Sequence, residues 1–307
     1  MVGRPRLLYL GPPGSFTHAG TTGIEADAEP ARDAREIVAA VQSGAADLGL
    51  LPLENSVEGD VAHTLDELVF GSSSLYLRRE VVVPVTFVLA ALPGAAEADL
   101  RRVVSHPHAV AQCRKVVAEL GLDVELTTST SQACADVAAR GDAGTAALAS
   151  QVAVDLHGLT AVRTAVEDVP GAATRMALLG RELAAPTGRD VTLAVLTPDT
   201  NRTGILADAL RCFADRGVAL SRISSRPLKA QLGTYVFVVA AAGHLADEVV
   251  SEAFEAVARL GVLVKVLGSC PETAPVELLG TDDTQPPGSV DADGWSTWRT
   301  AALAGAR

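Results

Sequence analysis

Apolar and polar positions follow two alternating patterns along about the first 180 residues of the chain. Short runs of apolar residues are separated by longer stretches in which apolar residues recur every three or four positions. This alternation is typical of strand–helix–strand units with a mostly parallel sheet. Helices are predicted at 34–42, 108–120 and 131–139, where capping residues and glycines delimit them. The predicted strands are 6–10, 47–51, 81–92, 103–104, 123–127, 144–148 and 174–179.

One predicted strand, residues 81–92, breaks this pattern because a proline interrupts its apolar run. Two short strands joined through a proline predict a chain that crosses from one lobe to another. We therefore expect two α/β lobes within residues 1–181, the first built from about 1–83 plus 160–181 and the second from 84–159. The apolar run is also well short of the ~20 residues that span a bilayer.

The second part of the chain has a different order of elements. Residues 182–189 contain proline and glycine and are predicted to form a linker. A strand, a helix, two strands, a helix and a strand follow within 190–269, which is the βαββαβ order of a ferredoxin-like domain. Prolines and acidic residues are frequent in 270–307, so we expect a flexible tail in which Trp295 and Trp298 favour one short docked helix.

Charge and composition narrow the possible functions. The 307 residues include 25 Lys and Arg against 37 Asp and Glu, a formal net charge of −12, so neither a nucleic acid nor an anionic membrane is an expected partner. The first residues lack the apolar segment of a secretory signal. The four cysteines are widely spaced and predict buried, reduced thiols rather than disulfides or a metal site. We expect a soluble, cytoplasmic protein.

Polar side chains cluster where predicted strands end, which is the edge at which open α/β sheets bind ligands. The loop after the first strand carries Ser15 and Thr17, which suit either an anion site at a helix start or a simple helix cap. Glu54, Asn55 and Ser56 follow the second predicted strand and offer an acceptor, an amide and a hydroxyl. A polar turn is the competing interpretation of this second cluster.

Two further junctions carry candidate chemistry. Ser105, His106 and Gln112 surround a predicted strand end and helix start. His106 suits either a capping position or a general base. The hydroxyl-rich run 127–131 precedes another predicted helix and favours a capping role.

A loop of small residues leads into Thr174 and Arg175 at the start of another predicted strand. The planar fork of Arg175 suits a carboxylate, although a surface arginine at a strand start is the other interpretation. The motifs of the chain are, in order, Gly-Pro-Pro-Gly-Ser-Phe-Thr at 11–17, Pro-Leu-Glu-Asn-Ser at 52–56, Ser-His-Pro-x-Ala-x-x-Gln-Cys at 105–113, Thr-Arg at 174–175, Ser-Arg-Pro at 225–227 and Leu-Gly-Thr-Tyr at 232–235. Together they resemble those of the prephenate dehydratases, from residue 6 to about residue 270.

The resemblance implies a fold and an activity. The fold is a two-lobed catalytic domain similar to periplasmic binding proteins, followed by a regulatory ACT domain. The activity is the conversion of prephenate to phenylpyruvate, water and carbon dioxide in L-phenylalanine biosynthesis, with no metal or organic cofactor. Pairing of ACT sheets implies a homodimer or homotetramer. Two other interpretations stay open: a relative that takes arogenate or decarboxylates prephenate without dehydration, and a non-catalytic amino-acid sensor.

The resemblance also implies roles for individual residues. Thr174 is expected to act on the departing hydroxyl group and Arg175 to fix a substrate carboxylate. The other expected catalytic positions are Glu54, Asn55, Ser105 and Gln112. The expected substrate contacts are Ser15, Thr17, Ser56 and His106. The expected contacts of an effector, with L-phenylalanine as the candidate, are Gly204, Ile205, Leu206, Ser225 and Arg226.

The chain departs from the family pattern at several positions. Ser15 replaces the usual threonine and keeps a hydroxyl, and Met176 replaces a phenylalanine, for which methionine is an adaptable filler. Ala172 replaces an asparagine and removes an amide, so we expect a lower rate or a modified substrate. The regulatory domain departs at Thr203, Ile205 and Ser224. We therefore expect feedback by phenylalanine to be weak or absent, or to be directed to another effector.

Overall fold

A computed structural model describes residues 3–200, 202–228, 233–274 and 289–304. The helices are α1 (Phe16–Ala19), α2 (Ala34–Ser43), α3 (Ala62–Asp66), α4 (Pro107–Gln112), α5 (Arg114–Glu119), α6 (Thr130–Arg140), α7 (Gln151–Leu156), α8 (Ile205–Ala214), α9 (Glu248–Arg259) and α10 (Ala292–Ala304), with a π-helical turn at Glu67–Gly71 and a 3₁₀ turn at Glu97–Asp99. The strands are β1 (Arg6–Leu10), β2 (Asp27–Ala31), β3 (Leu48–Asn55), β4 (Gly59–Asp60), β5 (Tyr76–Pro84), β6 (Val88–Ala91), β7 (Arg102–Ser105), β8 (Asp123–Leu126), β9 (Thr145–Ala149), β10 (Thr160–Thr164), β11 (Ala173–Gly180), β12 (Asp190–Pro198), β13 (Leu220–Pro227), β14 (Tyr235–Ala242) and β15 (Val262–Pro271). Within the described residues these strands form three sheets, one for each lobe and one for the C-terminal domain.

The first sheet has the strand order β2-β1-β3-β11-β5, and the short strand β4 pairs with β3. Strands β2, β1 and β3 run parallel, whereas β11 runs antiparallel to both of its neighbours. Strand β1 has the predicted bounds, because its apolar residues are buried and Leu8 shares a core with Ile37 of α2. Strand β2 was not predicted because it lies at the sheet edge, where only Ala31 is buried and no apolar run is needed.

The second sheet forms the second lobe and has the order β10-β6-β9-β7-β8. Strand β5 ends at Pro84 in the first sheet and β6 begins at Val88 in the second, so the chain crosses between the lobes over this proline. The return crossing lies later than the sequence expectation of residue 160. Residues 160–164 form β10, which pairs antiparallel with β6 in the second lobe, and the chain returns between β10 and β11.

The third sheet has the order β13-β14-β12-β15 and is antiparallel throughout. Helices α8 and α9 cover one face, where the rings of Phe213 and Phe254 meet edge to face at 5.1 Å. The element order β12-α8-β13-β14-α9-β15 confirms the predicted ferredoxin-like arrangement. Two α/β lobes followed by this domain confirm the predicted fold class.

The other face of the third sheet packs directly against the first lobe. Leu193, Val195 and Val238 of this sheet share one buried core with Leu53 and Leu65 of the first lobe. Apolar side chains are thus buried on both faces of the sheet, which explains its nearly continuous apolar strands. The C-terminal domain is therefore seated on the lobe that carries β3 and β11.

The predicted helix at 108–120 is two helices in the structure, α4 and α5, which meet at Cys113. The carboxylate of Asp168 accepts hydrogen bonds from the backbone N–H groups of Arg114 and Lys115, at 3.1 and 3.0 Å. A carboxylate at that position satisfies N–H groups that a helix start leaves free. The break therefore follows from a residue that is 54 positions away in the sequence.

Leu232 of the last motif and residues 275–288 of the expected flexible tail lie outside the described residues. The short helix expected near the end of the chain is α10. Its Trp295 and Trp298 stack on each other at 5.2 Å and are 54% and 48% exposed, rather than docked into a core as expected. In the part of the chain that the structure describes, no helix is long and apolar enough to cross a membrane.

Candidate active site

A cleft of about 310 Å³ lies between the two lobes. The first lobe contributes residues from the loop after β1, from the end of β3 and from the start of β11, and the second lobe contributes the starts of α4 and α6. The residues that line the cleft are Leu10, Gly11, Pro12, Ser15, Phe16, Thr17, Asn55, Glu58, Val85, Phe87, His106, His108, Ala109, Gln112, Thr128, Ser129, Thr130 and Thr174. Six of the expected site residues meet here: Ser15, Thr17, Asn55, His106, Gln112 and Thr174.

Thr174 and Asn55 lie opposite each other on the paired strands β11 and β3. The Asn55 Nδ2 group donates a hydrogen bond to Thr174 Oγ1 at 3.1 Å, although the two residues are 119 positions apart. The Asn55 Oδ1 atom accepts hydrogen bonds from the backbone N–H groups of Val57 and Glu58, at 2.9 and 3.1 Å, which orients the amide. Because Thr174 Oγ1 accepts from Asn55, its own proton is left for a partner in the cleft.

Glu58 connects the two lobes across the mouth of the cleft. Its carboxylate accepts a hydrogen bond from Gln112 Nε2 at 2.8 Å and lies 3.1 Å from His108 Nδ1. Both partners belong to α4 of the second lobe. Glu58 stands in the same turn as Asn55, so contact between the lobes reaches the segment that orients Thr174. Neither Glu58 nor His108 was a sequence candidate, because only the fold brings a turn of the first lobe against a helix of the second.

His106 is the N-cap of α4, and its Nδ1 atom accepts a hydrogen bond from the backbone N–H of His108 at 3.3 Å. Burial lowers the pKa of His106, and the neighbouring His108 lowers it further, against an opposing effect of Glu58. A neutral ring that accepts at Nδ1 carries its proton on Nε2. His106 thus offers a donor to the cleft without a formal charge.

The loop at 11–15 joins the first lobe to the second. Ser15 caps α1, accepting a hydrogen bond from the His18 N–H at 3.1 Å and donating to the Leu10 carbonyl at 3.2 Å. From the second lobe, Ser131 donates to the carbonyl of Pro13 at 2.5 Å and Ser150 to that of Gly14 at 2.7 Å. Gly14 has φ +85°, and a Cβ there would lie 2.7 Å from Ser131 Oγ, so this contact requires glycine.

Four expected site residues do not line the cleft. Ser105 is fully buried and donates to the carbonyl of Leu148 at 2.6 Å, and Ser56 Oγ accepts from the Ala173 N–H at 2.9 Å. Arg175 and Glu54 point to the opposite side of the sheet from Thr174 and Asn55, because successive side chains of a strand alternate between its faces.

Arg175 binds carboxylates of the protein instead of facing the cleft. Its Nη1 atom lies 2.5 Å from Glu80 Oε2 and donates to Thr273 Oγ1 at 2.7 Å, and its Nε atom lies 3.3 Å from Glu54 Oε2. These groups line a second cavity of about 270 Å³, between the first lobe and the C-terminal domain. This placement differs from the sequence expectation of a carboxylate-binding arginine in the cleft.

Neutral donors dominate the cleft. Among the described residues, none of those that line it is a lysine or an arginine. The hydroxyl-rich junction contributes Thr128, Ser129 and Thr130, and Ser129 caps α6 as expected by accepting from the Gln132 N–H at 3.0 Å. The positive end of the α6 dipole therefore faces the cleft together with a set of hydroxyl groups.

Two of the departures from the family pattern flank Thr174 in the sequence. Ala172 is buried, and its carbonyl accepts from the N–H of Val85, a residue of the cleft wall, at 2.8 Å. Met176 is buried in the core beneath β1, together with Leu50 and Val83. The methionine is therefore a core residue, and the alanine has a methyl group where the family pattern has an amide side chain.

A third cavity, of about 500 Å³, lies in the C-terminal domain at the start of α8. Of the expected effector contacts, Gly204, Ile205 and Leu206 line it, whereas Ser225 and Arg226 do not. Arg226 instead forms an ion pair with Asp66 of the first lobe at 2.9 Å. The cavity is also lined by residues that were not among the expected effector contacts: Pro198, Asp199, Arg202, Thr203, Leu228, Thr234, Tyr235 and Phe237.

Comparisons with known proteins agree on one family. A family model described as prephenate dehydratase matches residues 7–184. The prephenate dehydratase of Mycolicibacterium vanbaalenii is 39% identical over 289 residues, which cover 87% of this chain and 91% of that protein. The solved structure of prephenate dehydratase from Arthrobacter aurescens, in complex with L-Phe, is 34% identical with a TM-score of 0.80 and covers 97% of this chain and 99% of that chain. The structure of GqqA, described as a novel type of quorum-quenching acylase, is 28% identical with a TM-score of 0.77 and covers 87% of this chain and 98% of that chain.

Proposed function

The chain belongs to the prephenate dehydratase family, and we propose that its interlobe cleft converts prephenate to phenylpyruvate, water and carbon dioxide with Thr174 at the reacting centre. The observation that carries this proposal is the hydrogen bond from Asn55 to Thr174 inside the cleft. That bond leaves the Thr174 proton to be donated towards the substrate. A threonine so placed suits a reaction in which an oxygen atom departs with negative charge.

The chemistry needs orientation more than it needs a strong acid. The bond from the ring to its carboxylate breaks, its electron pair enters the ring, and the C4–oxygen bond breaks so that hydroxide leaves and becomes water on taking up a proton. Formation of an aromatic ring drives both cleavages. The Thr174 hydroxyl is too weak an acid to give up its proton unaided, so we assign it a hydrogen bond to the departing oxygen.

We assign the binding of the substrate carboxylates to neutral donors of the cleft. Thr17 of the first lobe and His106 and Gln112 of the second lobe lie in its wall. Ser15 also lies in the wall, but its hydroxyl proton is donated to the Leu10 carbonyl. The start of α6 adds hydroxyl groups and the positive end of a helix dipole. Such fixed dipoles stabilise negative charge without an arginine, and they leave the substrate carboxylate free to lose carbon dioxide.

An acylase activity, such as that described for GqqA, is not favoured by the serines of this region. Covalent acyl transfer requires a nucleophile whose proton can pass to a base. Ser131 Oγ lies 3.2 Å from His157 Nε2, but it donates its proton to the Pro13 carbonyl and is 3% exposed. The bond from Ser131 to Pro13 joins the two lobes, so Ser131 does not present an activated hydroxyl to the cleft.

The cavity at the start of α8 is the candidate effector site. Asp199 and Arg202 supply one charge of each sign, and Ile205, Tyr235 and Phe237 supply apolar surface. This combination suits a zwitterionic amino acid with an apolar side chain. Ile205 is buried in the core of the domain beside this cavity, and weak binding of phenylalanine there stays a prediction.

Identification of the product tests the proposed function. The purified full-length protein is incubated with prephenate, and in a parallel sample with arogenate. We expect phenylpyruvate and carbon dioxide from prephenate in equal amounts. A non-aromatic keto acid would contradict dehydration, aromatic product from arogenate alone would contradict the substrate, and absence of any product from either compound would favour a sensor.

A further inference from the structure

The two strands that carry the candidate catalytic pair present a second pair on their other face. Strands β3 and β11 place Asn55 opposite Thr174 and Glu54 opposite Arg175. The first pair faces the cleft, whereas the second faces the C-terminal domain. Any force on Glu54 is therefore applied one residue from the amide that orients Thr174.

One arginine of the C-terminal domain contacts strands β3 and β4 on the side of the sheet opposite the cleft. Arg222 of β13 lies 3.5 Å from Glu54 Oε2 and donates a hydrogen bond to Asp60 Oδ1. Glu54 and Asp60 are register partners in the β3–β4 hairpin, so Arg222 bridges both of its strands. Ser224, two residues further along β13, also donates to Asp60. The serine at this position donates to Asp60, whereas a glutamate there would repel its carboxylate.

The tip of the same hairpin carries both groups that organise the cleft. Asn55 at its start orients Thr174, and Glu58 in its turn contacts Gln112 of the second lobe. A cavity of about 270 Å³ lies beside Arg222 and Arg175 on the other side. Apolar packing against the third sheet therefore reaches Leu53 at the base of the hairpin, whereas Glu54, beside the cavity, and Asp60 are held by ion pairs.

We propose that Arg222 is a positioning residue for the reaction, acting through the β3–β4 hairpin on the Asn55–Thr174 pair. This proposal rests on the proposed function of the cleft. It makes the C-terminal domain part of the catalytic geometry rather than a separate sensor. A shift of β13 would move the hairpin and reorient the Thr174 hydroxyl, whereas Thr17, His106 and the start of α6 lie outside the hairpin.

Docking of the C-terminal domain does not depend on Arg222. The shared apolar core between the third sheet and the first lobe remains when this arginine is removed. Lys265 of β15 also donates to the carbonyls of Leu68 and Val69, both at 2.8 Å, and to that of Ser72 at 2.5 Å. Lys265 thus supplies a matched control, an interdomain cation that does not touch the β3–β4 hairpin.

The test compares Arg222→Met with Lys265→Met in the full-length protein, with kcat, KM and the unfolding midpoint measured for each. We expect Arg222→Met to lower kcat about tenfold with KM changed less than about twofold, because orientation and not binding is lost. Lys265→Met should keep kcat within about twofold even though its unfolding midpoint falls. Arg222→Lys, a point charge that cannot bridge both carboxylates, should fall between Arg222→Met and the unmodified protein.

A double-mutant cycle with Asn55→Ala separates this route from a general loosening of the structure. If Arg222 acts through the Asn55–Thr174 pair, Arg222→Met should lower kcat less than about twofold in the Asn55→Ala background. Equal losses of kcat in both backgrounds, or equal effects of the Arg222 and Lys265 variants, would overturn the proposal. A protein that turns over prephenate normally with methionine at position 222 refutes this inference alone, whereas failure of the unmodified protein to act on prephenate refutes the proposed function.

Discussion

Replacement of Asn55 tests how the hydroxyl of Thr174 is oriented. The native amide makes three hydrogen bonds, one to Thr174 Oγ1 at 3.1 Å and two from the turn N–H groups at 2.9 and 3.1 Å. Asn55→Ala removes all three bonds. Asn55→Asp has the same shape and keeps the two turn bonds, but it replaces the donor that faces Thr174 with an acceptor.

The two variants should rank in opposite order for stability and for activity. A neutral hydrogen bond contributes about 1 kcal/mol net, and water replaces the two turn bonds, so Asn55→Ala should cost roughly 1–2 kcal/mol of stability. If Asn55→Ala weakens stabilisation of the transition state by a similar free energy, kcat should fall roughly tenfold. In Asn55→Asp the Thr174 proton turns to the carboxylate, and loss of one oriented donor lowers kcat by roughly 10²–10³.

The assay is steady-state formation of phenylpyruvate from prephenate, with urea unfolding followed on the same samples. The aspartate variant should be the more stable and the less active of the two, and its negative charge should also raise KM for the dianionic substrate. An aspartate variant as active as the native protein would refute the reasoning. The reasoning would also be refuted if Asn55→Asp were more active than Asn55→Ala at equal folded fractions.

Three further outcomes follow from the placement of single residues. The double variant Arg175→Met, Glu80→Gln removes the arginine without leaving the nearly buried Glu80 carboxylate unpaired. It should change KM for prephenate less than about threefold. Loss of an arginine that binds the substrate would instead raise KM about 100-fold. Burial lowers the pKa of His106 below its ordinary 6.5, so the unfolded chain takes up a proton first as the pH falls. The urea midpoint of unfolding should therefore decrease as the pH is lowered below about 6.5. The decrease should be smaller in His106→Asn, which still caps α4. Titration of the enzyme with L-phenylalanine should show weak or no inhibition, and strong inhibition at low concentration would contradict the effect assigned to Ile205.

Local patterns predicted the elements whose burial is encoded in consecutive residues. Strand β1 has the predicted bounds because its apolar run is buried. Strand β10, which contains Thr160, Arg163 and Thr164, has no such run and was missed, which displaced the expected return crossing. The break between α4 and α5 depends on Asp168, a distant residue that no local pattern connects to Arg114.

The candidate site was predictable by residue type but not by orientation. The motif at 174–175 contains two polar residues. Only the pairing of β11 with β3 and β5 shows that Thr174 faces the cleft, whereas Arg175 faces the cavity beside the C-terminal domain. Glu54 and Asn55 are divided in the same manner. The contact of Glu58 with Gln112 joins two lobes and has no signal in either segment alone.

The acidic net charge is compatible with an anionic substrate because the relevant field is local. The formal charge of −12 is averaged over the whole chain, whereas the cleft wall offers hydroxyls, amides and the start of α6. The carboxylate in this wall, that of Glu58, is engaged by Gln112 and His108. Arg175 and Arg222 are engaged with carboxylates on the other side of the sheet. Attraction of the substrate therefore rests on fixed dipoles at short range.

The measurement that tests the central claim most directly is turnover of prephenate by Thr174→Ala beside the native protein. The native protein should release phenylpyruvate and carbon dioxide in equal amounts. The variant should release neither, while its circular dichroism spectrum and unfolding midpoint stay close to those of the native protein. A folded Thr174→Ala protein that forms phenylpyruvate at the native rate would contradict the account.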